Sequence, residues 1–155
     1  MKRILIAVAG AGVIGLVVFA GLAAGSSTGK ASVKIHVVEL FTHAGSVDVA
    51  PSGPSQGDYL VWDDALVKPG TKQIVGHVTG TCFLVNVAGG LYDCPGATFA
   101  LPDGQIVDQG LLALAAKSSY GVMIGGTGAY AGMHGESKGT AAGANALDWV
   151  LTLTR

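Results

Sequence analysis

The sequence predicts an all-β domain, an eight-stranded antiparallel β-barrel preceded by an apolar N-terminal segment. Three observations carry the prediction. Apolar residues recur with period two from Ser32 onward, the repeat of a strand with one buried face. The 25 glycines interrupt the apolar runs where turns and bulges need them. Beyond the leader, no segment reads as a helix, and the hairpin signals are evenly spaced, as in a meander.

The elements follow in order. In the first strand Val33, Ile35, Val37, Glu39 and Phe41 share one face. Ala44 to Gly57 is rich in Ser, Pro and Gly and is expected to be a loop arching over a barrel mouth. The second strand spans Asp58 to Val67 and ends at the turn Lys68-Pro69-Gly70. The third, Gln73 to Val87, is interrupted by Gly76 and Gly80, as curved strands are. Ala88-Gly89-Gly90 turns the chain into a fourth strand, Leu91 to Leu101. Pro102-Asp103-Gly104 leads to a fifth, Gln105 to Ala116. A sixth covers Tyr120 to Ile124, with Gly125 to Gly128 as its turn. The seventh and eighth are Tyr130 to Ala141 and Ala146 to Thr154. Eight strands close into a barrel wide enough for packed side chains or one small ligand. Closure also removes the sheet edges that so apolar a chain would expose.

The 155 residues suffice for one domain. A net charge of -1 with only 12% charged residues leaves no basic patch for nucleic acid. Mean hydropathy is +0.52, raised by the first 25 residues. There, Met1-Lys2-Arg3 precedes the uncharged run Ile4 to Ala24, and Ala23-Ala24-Gly25 offers a cleavage site. Residues 1–25 are read as a signal peptide or an uncleaved membrane anchor through residues 4–24. Residues 26–32 are read as a linker and 33–155 as the barrel domain. Either reading places the domain outside the cytosol, secreted or extracytoplasmic. Gly10 to Gly15 spells GxGxxG, but the following run Val13 to Ala24 lacks the polar outer face of a dinucleotide-binding helix.

Cys82 and Cys94 lie six residues either side of Ala88, on the same parity of a hairpin. In an exported protein this suggests a disulfide. Glu39 is the sharpest candidate for chemistry: a carboxyl on an otherwise apolar face, which burial would make an acid or base near neutrality. The alternative places it at the rim, solvated or paired with Lys34 or His36. Asp63 and Asp64 point to opposite faces. Asp64 shares its face with Leu60, Trp62 and Leu66. It is either a lumen carboxyl splitting acid and base roles with Glu39 or an ordinary strand-end acid. Phe41, Trp62 and Leu84 are expected to contact a ligand. His36, His43, His77 and His134 lack metal-ligand spacing, and neither a metal nor another cofactor is expected.

Gly57-Asp58, Asp63 to Leu66 (DDAL), Val75 to Cys82 (VGHVTGTC), Leu101 to Gly110 (LPDGQIVDQG) and Ile124 to Gly132 (IGGTGAYAG), in that order, resemble the allene oxide cyclase and dirigent superfamily. The likeness runs from about Val37 to the C-terminus and looks most like an exported bacterial-type member. It implies an eight-stranded barrel and a trimer. In the cyclase branch, a Glu on the first strand and a Cys on the third line the cavity, and Glu39 and Cys82 fall at those places. Cys82 is then either a cavity thiol or half of the disulfide. Two cyclase asparagines are replaced by Asp64 and Phe41, and His77 stands where dirigent proteins favour Arg. The acidic pair and the aliphatic at Asp63 to Leu66 fit the dirigent branch better.

Together these readings give a cofactor-free barrel that binds a small apolar molecule and directs its cyclisation or coupling, an isomerase-like role with Glu39, Asp64 and Cys82 as catalytic candidates. The rival is a non-catalytic secreted ligand-binding or envelope protein of the same fold.

Overall fold

The computed structural model describes residues 32–155. The leader at 1–25 and residues 26–31 of the expected linker lie outside the described residues, and with them the choice between signal peptide and anchor. Nine strands follow: β1 (Ser32–Leu40), β2 (Ala44–Val47), β3 (Tyr59–Val67), β4 (Ile74–Asn86), β5 (Leu91–Leu101), β6 (Gly104–Ala113), β7 (Ser118–Gly126), β8 (His134–Ala141) and β9 (Ala146–Thr154). Their hydrogen-bonded order is β1-β9-β8-β7-β6-β5-β4-β3-β2, and β1 also pairs with β3. That pairing, Val38 with Val67 through Leu40 with Ala65, closes eight strands into an antiparallel barrel. No helix among the described residues is long and apolar enough to cross a membrane.

The ninth strand was not anticipated. Part of the expected loop is β2, whose residues pair with β3 from Ala44 opposite Trp62 to Val47 opposite Tyr59. Chain that leaves the barrel after β1 thus rejoins the same edge of β3 a few residues later. The glycine-rich segment also differs from expectation. Gly125 and Gly126 belong to β7, and the turn is a 3-10 segment at Gly128–Tyr130. β8 therefore begins at His134, and β6 stops at Ala113. Gly104 and Gly128 approach each other's backbone too closely for side chains, which is why this crossing needs glycine.

Along each strand the interior changes character. At one end it is solid: Val37, Leu66, Ile106, Met123, Leu151 and Leu153 pack together, with Tyr130 added from the 3-10 segment and Met133 from the chain just after it. Each such aliphatic side chain contributes about 1.5–3 kcal/mol by leaving water. At the other end the barrel is hollow. Val78 and Phe99 belong to both halves, packing into the core and flooring the cavity. Phe99 meets Trp149 edge to face, with centroids 5.5 Å apart, a favoured aromatic geometry.

Cys82 of β4 and Cys94 of β5 are joined in a disulfide. It spans an irregular stretch of pairing, where the register shifts between Thr81 and Phe83. A covalent tie there substitutes for missing ladder bonds. Replacing both cysteines with alanine is expected to lower stability by about 3 kcal/mol, read as a fall in the urea midpoint with a steeper slope as the unfolded chain loses its cross-link. An unchanged midpoint would show that the ladder alone holds this seam.

Candidate functional site

The hollow half encloses a cavity of about 600 Å³, within the size range of small-molecule sites. Its lining is mostly apolar and aromatic, including Phe41, Leu60, Trp62, Phe99, Leu112 and Trp149. Three carboxyls enter it: Glu39, Asp64 and Asp108. All are nearly inaccessible, at 4%, 1% and 7% exposure.

Two tryptophans owe their placement to glycines. Trp62 of β3 pairs with Gly80 of β4, and Trp149 of β9 pairs with Gly139 of β8. Each indole lies over its glycine, so closely that a Cβ at either position would collide with the ring. The rings therefore lie flat against the wall and leave the lumen open.

Glu39 projects inward from β1, as its parity predicts. The Trp149 indole donates from Nε1 to Glu39 Oε2 at 2.6 Å. Burial is the main force raising the Glu39 pKa. The Trp149 hydrogen bond opposes it, while the charge and hydrogen bonding of Asp64 add to it, and the result is about 7. Removing the indole donor with Trp149→Phe is expected to raise this pKa further, since only a lowering influence is lost. Carboxyl ¹³C NMR titration reads it directly. A lower value would mean that the indole shields Glu39 from water rather than stabilising its charge.

Asp64 also points inward, but one of its oxygens serves the fold. Oδ1 accepts from the Thr42 backbone N–H at 2.5 Å, from the His43 backbone N–H at 2.9 Å and from the Thr42 hydroxyl at 3.2 Å. These are the donors of the break between β1 and β2, freed where the chain leaves its ladder. Asp64 clasps that break shut. It is therefore not an ordinary exposed strand-end acid. Asp63 faces outside, 3.5 Å from His77 Nδ1.

Asp108, on β6, was missed as a site residue. Alternation with Ile106, Gly110 and Leu112 along the expected fifth strand is the signal that points to it. Its carboxyl crosses Gly121 of β7, where a Cβ would collide with it, and reaches Ser137 of β8. The buried Ser137 hydroxyl lies 3.0 and 2.9 Å from the two oxygens. Burial raises the Asp108 pKa, opposed by Ser137 and by the Gln109 backbone N–H, to about 6. Strand order places β6 fourth from β1 in either direction around the barrel, so Asp108 and Glu39 stand on opposite walls.

Two expectations need correction. Cys82 lines the lumen, but its sulfur is committed to Cys94, so it presents no thiol there. Leu84 is buried outside the lumen, because β4 overshoots the barrel. It lines a smaller hollow of about 250 Å³ with Asp58, Tyr59 and Tyr92, under the segment whose Gly57 N–H bonds to its carbonyl. Phe41 lies at the cavity mouth, 44% exposed, and Trp62 forms part of the wall. All four histidines are exposed.

Residues 38–144 match the family described as the allene oxide cyclase barrel like domain. The chain belongs to this family. Solved structures with the same allene oxide cyclase-like barrel include a pyocyanin demethylase, 26% identical, with a TM-score of 0.70 over 79% of this chain and 100% of that one. A pterocarpan synthase dirigent protein is 14% identical, with a TM-score of 0.69 over 81% of this chain and 86% of its own. An exo-specific intermolecular Diels-Alderase is 15% identical, with a TM-score of 0.65 over 81% of this chain and 99% of its own. No curated protein matches the sequence significantly.

Proposed function

We propose that this barrel binds a small, largely apolar molecule in its lumen and directs its cyclisation or coupling, with Glu39 exchanging the proton. One observation carries the reading: a carboxyl poised near neutrality at the edge of a roomy aromatic cavity. Such a group is half protonated at working pH, where general acid–base catalysis is most effective. The cavity walls exclude water and hold one conformer of the ligand, which lowers the entropic part of a ring-closing barrier. A reaction of this kind draws on shape and a proton and calls for no cofactor. Asp64 raises the proton affinity of Glu39 while holding the barrel seam, and Cys82 contributes wall rather than chemistry. Barrels of similar fold named as a Diels-Alderase, a pterocarpan synthase and a pyocyanin demethylase support a lumen that takes a small molecule, and the first of them supports ring formation within it. We also place the domain outside the cytosol, on the strength of its disulfide.

Native mass spectrometry of protein purified from its host tests the proposal. Intramolecular cyclisation conserves mass and coupling joins two molecules, so the expected result is a retained substrate accompanied either by an isomer that separates chromatographically or by a product of about the summed mass of two partners. The Glu39→Gln protein should retain the unconverted substrate alone. Retained molecules of identical composition in both proteins would return the barrel to the class of non-catalytic binding modules.

A further inference from the structure

We propose that the lumen is built for a cationic ligand, a flat aromatic or polycyclic molecule bearing a positively charged nitrogen, held between the tryptophan rings and the carboxyls of Glu39 and Asp108. The inference rests on the lumen being the binding site and names what class of molecule it takes.

The cavity lining carries three carboxyls and, among the described residues, no Lys, Arg or His. Buried charge without a partner is costly, so the ligand is the natural counterion. Acceptor capacity is left open toward it. Glu39 is nine-tenths buried or more, and only its Oε2 receives a hydrogen from the indole. Its other side-chain partner is Asp64, a second acid that brings no positive charge to it. At Asp108, one hydroxyl hydrogen from Ser137 and the Gln109 N–H fill about half of the roughly four acceptor sites a carboxylate offers. These two groups sit on opposite walls, and Trp62, Trp149 and Phe99 present aromatic surface between them. Aromatic faces attract cations through the ring quadrupole. An anionic ligand, by contrast, would meet only like charge.

The surroundings of the two acids supply no cation and only one further titratable group. Facing Asp108 are Ala97 and Phe99 from β5, Gly121 and Met123 from β7, and Ser137 from β8, none of them charged. Facing Glu39 are Trp149 and Leu147 from β9 and Leu66 and Asp64 from β3, of which only Asp64 is titratable.

Three probes of one shape separate the alternatives: 1-naphthylmethylammonium, 1-naphthylmethanol and 1-naphthoate, titrated against the full protein by tryptophan fluorescence. At about pH 8, where both acids are ionised, the ammonium probe should bind about tenfold more tightly than the alcohol, and naphthoate about tenfold more weakly. Glu39→Gln and Asp108→Asn should each weaken ammonium binding about tenfold and leave the alcohol unchanged. Asp63→Asn, on the outer face, should change neither. Wild-type protein at about pH 5 should lose the ammonium preference, an arm that needs no variant to fold. Naphthoate binding as tightly as the ammonium probe, or ammonium binding indifferent to both acids, would overturn the inference while leaving the lumen as a binding site. Failure of the alcohol to bind would remove the lumen reading as well.

Discussion

Replacing Asp64 with alanine is expected to destabilise the barrel by about 2–4 kcal/mol, because a hydrogen bond to a carboxylate is worth about 1.5–3 kcal/mol and this change removes three, whose donors on the exposed Thr42 and His43 recover part of the loss from water. The Thr42 and His43 backbone N–H groups and the Thr42 hydroxyl all converge on one carboxylate oxygen. No ladder partner stands ready, since β1 has ended at Leu40 and β2 begins only at Ala44. Asp64→Asn keeps an oxygen in place and should lose less, about 1–2 kcal/mol. Urea unfolding followed by tryptophan fluorescence checks both. A loss below about 1 kcal/mol for the alanine protein would mean that water takes over the clasp.

The second large effect is a pH dependence with a defined sign. Glu39 binds its proton more tightly in the folded state, at about 7, than its ordinary 4.5. Between those values the folded protein holds more protons than the unfolded chain, so stability falls as pH rises. At about 1.36 kcal/mol per unit, the fall amounts to about 3 kcal/mol and levels off above neutrality. Asp108 acts with the same sign over a lower window, from 3.8 to about 6. Glu39→Gln removes the first contribution and leaves the second. Glutamine still accepts from the Trp149 indole and stays neutral, so the variant should match wild type near pH 4.5 and exceed it by about 3 kcal/mol at pH 8. Denaturation midpoints across that range decide the matter, and a variant that tracks wild type throughout would mean that Glu39 ionises without penalty.

Much of this was legible in the sequence, for a physical reason. A barrel wall has one face in and one face out, so alternation alone assigns most inward residues, Glu39 and Trp62 among them. What alternation cannot give is height along the axis. Leu84 has the inward parity of Cys82 yet lies beyond the cavity, because β4 runs past the rim. β2 was illegible because Ala44, Gly45, Ser46 and Val47 are all exposed and leave no buried face to read. The clasp role of Asp64 depends on a chain break that only the β2 pairing reveals. Asp108 needed one more fact, that a glycine on the next strand lets it reach a serine on the one beyond.

The glycines beneath Trp62 and Trp149 make the bore adjustable. An alanine at Gly80 would tip the Trp62 indole off the wall and into the passage, narrowing it without touching an acid, whereas one at Gly139 would also pull the Trp149 donor away from Glu39. In such a scaffold the gauge of acceptable cargo is written in missing methyl groups, and a one-atom change in the wall behind Trp62 can re-address the barrel to a slimmer guest.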